Sequence, residues 1–408
     1  MNDQLDDVET ARSFDLNKIG QDFINDPFPT LKLLRENDPV HRNPDGTFFL
    51  TRYEDVLACF RHPAMSSDKK VAFKGKFGDG PLYTHHTTSL VFNDPPYHTT
   101  VRKLLSVAFT PRKLAEMEPL IVSVVDDLLD RMEDEKEFDI ISAFAMALPT
   151  EIISFMLGIP EDHRHLLRPY SLKILGALDP AISDDRLQDG NAAVAEFATL
   201  LEQLIADRRK KGDQVGSQGE VLAALIFGEV DGRKLSEKEL VQNCIFLLNA
   251  GHETTTSMVG NAIGTLLGNP DQLKRLQDDP ALIDTTVEEA LRFQSPLQIG
   301  NRMATEDATF GGKEISAGTF IHLSVAGANR DPEIFDNPEQ FDVGREPNRH
   351  LAFGSGHHIC LGATLARMES KIAIGRLIER FPNIRQNGPA EHIGLARFRG
   401  YNLLPVAI

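Results

Sequence analysis

Apolar residues recur at i, i+3 and i+4 through most of the chain. The spacing predicts amphipathic helices over residues 114–132, 138–157, 187–209, 236–267 and 361–381. Shorter β-branched and aromatic runs predict strands around 48–51, 308–310 and 320–323. Pro and Gly clusters at 78–81, 212–219 and 387–389 mark surface loops, and none reads as a linker between independent units. No internal repeat or low-complexity tract is present. The pattern predicts a fold that is mainly α with a minor β-sheet region (α+β), one domain over residues 27–408 behind a partly ordered extension at 1–26.

The longest periodic stretch opens with a capping signal. In Ser236-Glu237-Lys238-Glu239 the serine can accept from the Glu239 amide while the glutamate reaches back to the serine amide. The apolar pattern then runs to Gly268, about 30 residues or about 45 Å, so this helix is expected to cross the core. Its middle, Ala250-Gly251-His252-Glu253-Thr254-Thr255, is poor helix material. Glycine costs about 1 kcal/mol relative to alanine, and threonine loses side-chain freedom or bonds back to a carbonyl. The residues alone allow a tolerated kink or a functional interruption.

Composition narrows the classes. With 408 residues and 41% hydrophobic content, the chain can bury a sizeable core. A net charge of −17 argues against a general nucleic-acid binder. Cys59, Cys244 and Cys360 are too sparse for a disulfide framework, which fits a reducing, cytoplasmic setting. Residues 1–15 are polar and acid-rich, and no run of about 20 apolar residues occurs, so neither export nor a membrane anchor is expected.

The most specific segment is Phe353-Gly354-Ser355-Gly356-His357-His358-Ile359-Cys360-Leu361-Gly362. Its glycines allow positive φ and close approach to a flat ligand. By itself the segment could be a turn with a small buried hydrophobe, a zinc knuckle using His357, His358 and Cys360, or a thiolate site for another metal. As F-G-x-G-x-H-x-C-x-G it resembles the haem-binding loop of the cytochrome P450 family, with Phe353, Gly354, Gly356, His358, Cys360 and Gly362 at the fixed positions. That resemblance implies a haem b whose iron takes the Cys360 thiolate. The cofactor would lie between the long central helix and the cysteine loop with the helix that follows it. A thiolate ligand favours O–O cleavage over oxygen carriage.

The same family carries an A-G-x-[DE]-T-T block. Its match here implies that Ala250 and Gly251 face the cofactor and that Glu253 and Thr254 are the catalytic pair, an acid and an alcohol delivering protons to dioxygen. His252 lies outside the pattern and is expected to be structural or solvent-facing.

Other segments match residue by residue. Glu289 and Arg292, in E-x-x-R spacing, read alone as a surface pair. The resemblance makes them a buried structural set completed by Arg345, supporting the cysteine loop. His98 and Arg102 in D-P-P-x-H-x-x-x-R, Arg302 in R-x-A-x-E-D, and His350 would each be solvated charges if taken singly. Together they match the family's cofactor-propionate positions, with His358 expected to turn the same way and His357 to be exposed. The resemblance runs from about Pro27 to the C-terminus.

Electrons would come from NAD(P)H through a ferredoxin or flavodoxin and its reductase, docking transiently on the thiolate side. Lys103, Arg112, Lys113 and Arg367 are the candidate basic patch there, while the run 208–211 reads as a solvated helix end. The family's substrate segments correspond here to Phe92, Ile174, Leu247, Leu248, Leu297, Gln298, Ile299 and Phe398, implying a small, largely hydrophobic substrate. Asn243 and Gln298 are possible polar handles, and Arg397 or Arg399 could meet a carboxylate. The expected activity is an oxygen-dependent monooxygenase, a cytoplasmic monomer. A peroxygenase or desaturase is disfavoured by Glu253 and Thr254, and a haem sensor has no use for proton delivery.

Overall fold

The computed structural model describes residues 2–212 and 218–408, so most of the loop expected at 212–219 lies outside the described residues. Helices dominate. The predicted segments appear as Pro111–Glu133, Asp184–Lys211, Glu237–Gly268 and Ala363–Arg380. The central helix, Glu237–Gly268, starts as its sequence demands. Ser236 Oγ accepts from the Glu239 amide at 3.3 Å, and Glu239 Oε2 accepts from the Ser236 amide at 2.9 Å. Nearly every turn of this helix is buried. It packs along the proximal helix Ala363–Arg380 and beneath the helices Ala147–Leu157 and Leu167–Gly176.

The helix expected over 138–157 is split. Glu137–Asp139 is a strand paired antiparallel with Pro405–Ala407, and the helical part begins with the π turn Ile141–Ala145. Pairing with the chain's own end overrides local helical periodicity here. Asp139 locks the switch, accepting from the amides of Ile141, Ser142 and Leu404 at 3.1, 3.1 and 2.9 Å.

The main sheet has five strands in the order Val40–Arg42, Phe48–Leu50, Phe320–Ser324, Ile299–Ala304, Met65–Ser66. Only the pairing of Phe48–Leu50 with Phe320–Ser324 is parallel. The extension predicted at 1–26 is seated on this side of the protein. Ala11, Leu16 and Phe23 share a packed cluster with Leu34, Phe49 and Ile299. Among the described residues, no helix is long and apolar enough to cross a membrane.

Candidate active site

In the middle of the otherwise buried central helix, Ala250 is exposed and Gly251 and Thr254 are half-exposed. Gly251 has no room to spare on its other side, since a Cβ there would stand 3.3 Å from Ile153 Cδ1. Thr254 Oγ1 donates back to the Ala250 carbonyl at 2.5 Å, the back-bond that its mid-helix position favours.

Next to it, Glu253 turns inward and is 1% exposed. Burial raises its carboxyl to about 7, against the opposing pull of Arg168, whose Nε lies 3.6 Å from Oε2. Arg168 in turn donates to the Tyr401 carbonyl at 3.2 Å. His252 is buried and structural. Its Nε2 meets Thr150 Oγ1 at 2.8 Å, and burial lowers its pKa to about 3.

The cysteine loop is shaped by two left-handed glycines, Gly354 (φ 68°) and Gly356 (φ 72°). At Gly356 a side chain would also meet the Phe60 carbonyl oxygen at 2.7 Å. Cys360 donates its amide to the Phe353 carbonyl at 2.9 Å and presents an exposed thiol just before the proximal helix. Around that opening the thiol is walled in. Burial pushes its pKa up, while a hydrogen bond from the Gly362 amide and the charges of Arg102 and Arg367 favour the thiolate.

Beside the cysteine stand cations that form no salt bridge among the described residues. There the Arg102 side chain has no hydrogen-bond or acidic partner, and the Cys360 sulfur is the charge that most supports it against burial. Arg302 is 7% exposed, lies 5.0 Å above the Phe60 ring and, among the described residues, donates only to the Asn301 carbonyl. His98 is buried with Nε2 unpartnered, its ring 4.1 Å from that of His358. His358 also approaches Asp94 at 3.9 Å. Burial works against the Asp94 charge, but His358, Ser66 and the Ser67 amide hold its carboxyl far below the usual range.

These residues fit haem: an accessible thiol with a backbone amide on its sulfur, an accessible glycine-bearing helix face, and unpaired cations for two acidic arms. His357 is exposed. Among the described residues no cluster of three metal-ligating side chains forms.

His350 does not join this group. Its Nε2 meets Glu288 at 3.1 Å and its Nδ1 accepts from the Ala352 amide, so both ring nitrogens are engaged. Glu288 also binds Arg367 at 2.6 and 2.9 Å. Burial opposes ionisation of Glu288, yet these partners hold it down to about 2. An acidic residue beside the E-x-x-R pair draws His350 away from the position expected for it.

The support network forms as expected. Arg292 grips both Glu289 oxygens at 2.7 and 2.8 Å, and Arg345 Nε reaches them at 3.0 and 3.1 Å. Arg292 then holds the carbonyls of Asn329, Pro338 and Gln340. Glu289 is 0% exposed and Arg292 1%.

Of the predicted pocket residues, Phe92, Ile174, Leu247, Leu248 and Phe398 share one apolar cluster, with Leu297 packed against it. Leu297 also bridges to Phe398. Ile299 departs: strand alternation turns its side chain to the N-terminal cluster instead. Asn243 is wholly structural, accepting from the Leu90 amide and donating to Tyr97 and the Glu239 carbonyl. Gln298 keeps Oε1 unpartnered.

The expected basic patch is largely neutralised in place. Lys103 pairs with Asp231, Arg112 with Glu116, Lys113 with Glu220 and Arg367 with Glu288. Two residues that matter were missed by sequence reasoning. These are Arg168 and Lys76, to which no role was assigned. Neither carries a local pattern that marks it.

The cytochrome P450 family model matches residues 41–390. The chain is 36% identical to "Cytochrome P450 107B1" of Saccharopolyspora erythraea, over 98% of this chain and 99% of that protein. It is also 36% identical to "Vitamin D(3) 25-hydroxylase" of Pseudonocardia autotrophica, over 89% of this chain and 88% of that one. Among solved structures it is similar to P450BioI in complex with an acyl carrier protein ligated to hexadec-9Z-enoic acid. The TM-score there is 0.89 at 33% identity, covering 96% of this chain and all of that one. The family uses haem b, dioxygen and NAD(P)H electrons delivered by partner proteins. With the thiol of Cys360, the Glu253–Thr254 pair and the buried Glu289 hub all in place, the chain belongs to the cytochrome P450 family and is a monooxygenase of it.

Proposed function

We propose that this monooxygenase hydroxylates a C–H bond of a small, largely hydrophobic organic molecule, using two electrons from a ferredoxin or flavodoxin in the cytoplasm. The observation that carries this reading is the buried Glu253 carboxyl beside the Thr254 hydroxyl, which lies on the accessible face of the central helix. Cys360 would hold haem, with His98, Arg102, Arg302 and His358 available to its acidic arms, and the bound group would supply the redox chemistry on dioxygen and the substrate carbon.

The chain's own part is to move protons and exclude water. A carboxyl with a pKa of about 7 can take and release a proton with equal ease at neutral pH. Arg168 leads from Glu253 toward the chain's C-terminal strands and holds the carboxyl in line. The Thr254 hydroxyl, now donating to Ala250, needs only a rotation about its side-chain bond to pass a proton into the cleft. The apolar cluster around Phe92, Leu247 and Phe398 suits a hydrophobic substrate. A relative named as a vitamin D(3) hydroxylase supports the same reading.

The test has two steps. A carbon monoxide difference spectrum of the reduced protein should show the thiolate-ligated form, and an imidazole-type band would sink the assignment of Cys360. Product formation with NADH and a surrogate ferredoxin system should then track NADH consumption. No product with any electron source would refute the monooxygenase.

A further inference from the structure

Arg397 is a buried cation and Lys76 a half-buried one, and neither has an acidic partner within 4 Å among the described residues. Arg397 is 4% exposed. It donates from Nε to the Leu178 carbonyl and from Nη1 to the Ile299 carbonyl, each at 2.8 Å, and among the described residues Nη2 has no partner. Lys76 donates to the Asp179 carbonyl at 2.7 Å and lies 5.5 Å from the centroid of the Phe77 ring. The two side chains therefore converge on the Leu178–Asp179 segment from the last turn of the helix Lys70–Phe77 and from the C-terminal region.

The nearest carboxylate, Asp179, favours the charge of both but forms a salt bridge with neither. Its two oxygens accept from the backbone amides of Arg397 and Ala396, at 2.9 and 3.1 Å, and Arg186 approaches it at 3.6 Å. Three cations thus share one carboxylate, which leaves part of their charge uncompensated. Burial, then Arg397, lowers Lys76 to about 8.

The residues assigned above to the acidic arms of haem are His98, Arg102, Arg302 and His358. Arg302 and Lys69 act on His358 and Arg397 acts on Lys69, so the pair borders that set, while Lys76 itself is acted on by Arg397 and Asp179. The predicted pocket adjoins the pair as well. Arg397 precedes Phe398 in sequence, its carbonyl accepts from the Gln298 amide at 2.8 Å, and Phe77 meets Phe73, which meets Phe92.

We propose that the substrate is an amphipathic carboxylic acid, its carboxylate taken by Arg397 Nη2 and Lys76 and its hydrocarbon lying among Phe92, Leu247 and Phe398. This rests on the monooxygenase reading above and adds the substrate's charge. A carboxylate gives both cations the charge-assisted partner they lack. It also fixes which carbon is presented, because the acid group is tethered at one end.

The test compares dodecanoate, dodecanol and methyl dodecanoate on the haem-loaded enzyme, by Soret titration and by equilibrium dialysis. Dodecanoate should bind about ten- to hundredfold more tightly than the other two, the strength of hydrogen bonds to a charged group. Arg397→Gln and Lys76→Gln should each remove most of that preference, weakening dodecanoate binding far more than dodecanol binding. Lys76 carries the test if Arg397→Gln fails to fold, since Lys76 makes one backbone contact and is only half-buried.

Equal binding of acid, alcohol and ester overturns the proposal. So does an equal loss for all three ligands in both variants, or tightest binding by a dodecanoyl thioester on a carrier protein. A failed carbon monoxide spectrum would instead strike the monooxygenase reading, while the dialysis result would still judge the carboxylate site.

Discussion

Replacing Glu253 by glutamine keeps the shape of the side chain and removes its proton. In the folded protein burial raises this carboxyl to about 7 from its ordinary value of 4.5. That difference corresponds to about 3 kcal/mol disfavouring the ionised form. Two consequences have opposite signs. The raised folded pKa means that the group's stabilising contribution is fully present below pH 4.5 and is lost as pH rises through 7. Glu253→Gln should therefore remove a pH-dependent destabilisation of up to about 3 kcal/mol, measured by urea unfolding from pH 5 to pH 9. Turnover should move the other way, because glutamine cannot relay a proton. A drop of about a hundredfold or more in product formation is expected, together with loss of any inflection near pH 7 in the wild-type profile. Unchanged turnover in the glutamine variant, or the same inflection in both proteins, would refute proton relay through Glu253.

Thr254→Ala should leave NADH consumption largely intact while diverting electrons to hydrogen peroxide, read as a fall in the ratio of product to NADH; unchanged coupling would remove Thr254 from the relay. Arg292→Ala removes the bidentate partner of the fully buried Glu289, leaving Arg345, and frees three carbonyls, so a loss of about 3 kcal/mol is expected, seen in a denaturant midpoint and in poor haem retention. Gly356→Ala forces a side chain into a positive φ and against the Phe60 carbonyl. It should cost about 1–3 kcal/mol and weaken haem retention at a rate measurable by transfer to apomyoglobin.

The parts legible in the sequence were those written locally. The central helix announces itself through a capping box and sustained periodicity, and the cysteine loop through glycines whose backbone needs are met within ten residues. Glu289 and Arg292 are one helical turn apart, so their pairing follows from spacing once burial is granted. Contacts made across the chain had no such signature. Residues 138–139 read as helix because nothing nearby reveals that 405–407 will pair with them. His350 carries the family spacing, yet Glu288, on a distant helix, claims it. Ile299 was misplaced because the strand's facing depends on the N-terminal segment that covers it. The convergence of Lys76 with Arg397, and of Arg168 with Glu253, needed the folded chain.

The Glu289 hub has a bearing on how the protein is assembled. From Asn329 to Ser355 the chain contains no helix or strand, a length at which an unstructured connection is unusual. Ordinary loops are pinned at many weak points along their length. This one hangs its carbonyls at 329, 336, 337, 338 and 340 on two guanidinium groups, and both groups take their orientation from a single carboxylate. Further pins lie along it, from Tyr53 to Asp331 and Arg349 and from Thr285 to Val343. The carbonyls held by the hub are nevertheless expected to order together, once the helix Ile283–Phe293 docks. Cys360 lies immediately downstream, so the seating of the cysteine loop should depend on a carboxylate distant from it in sequence.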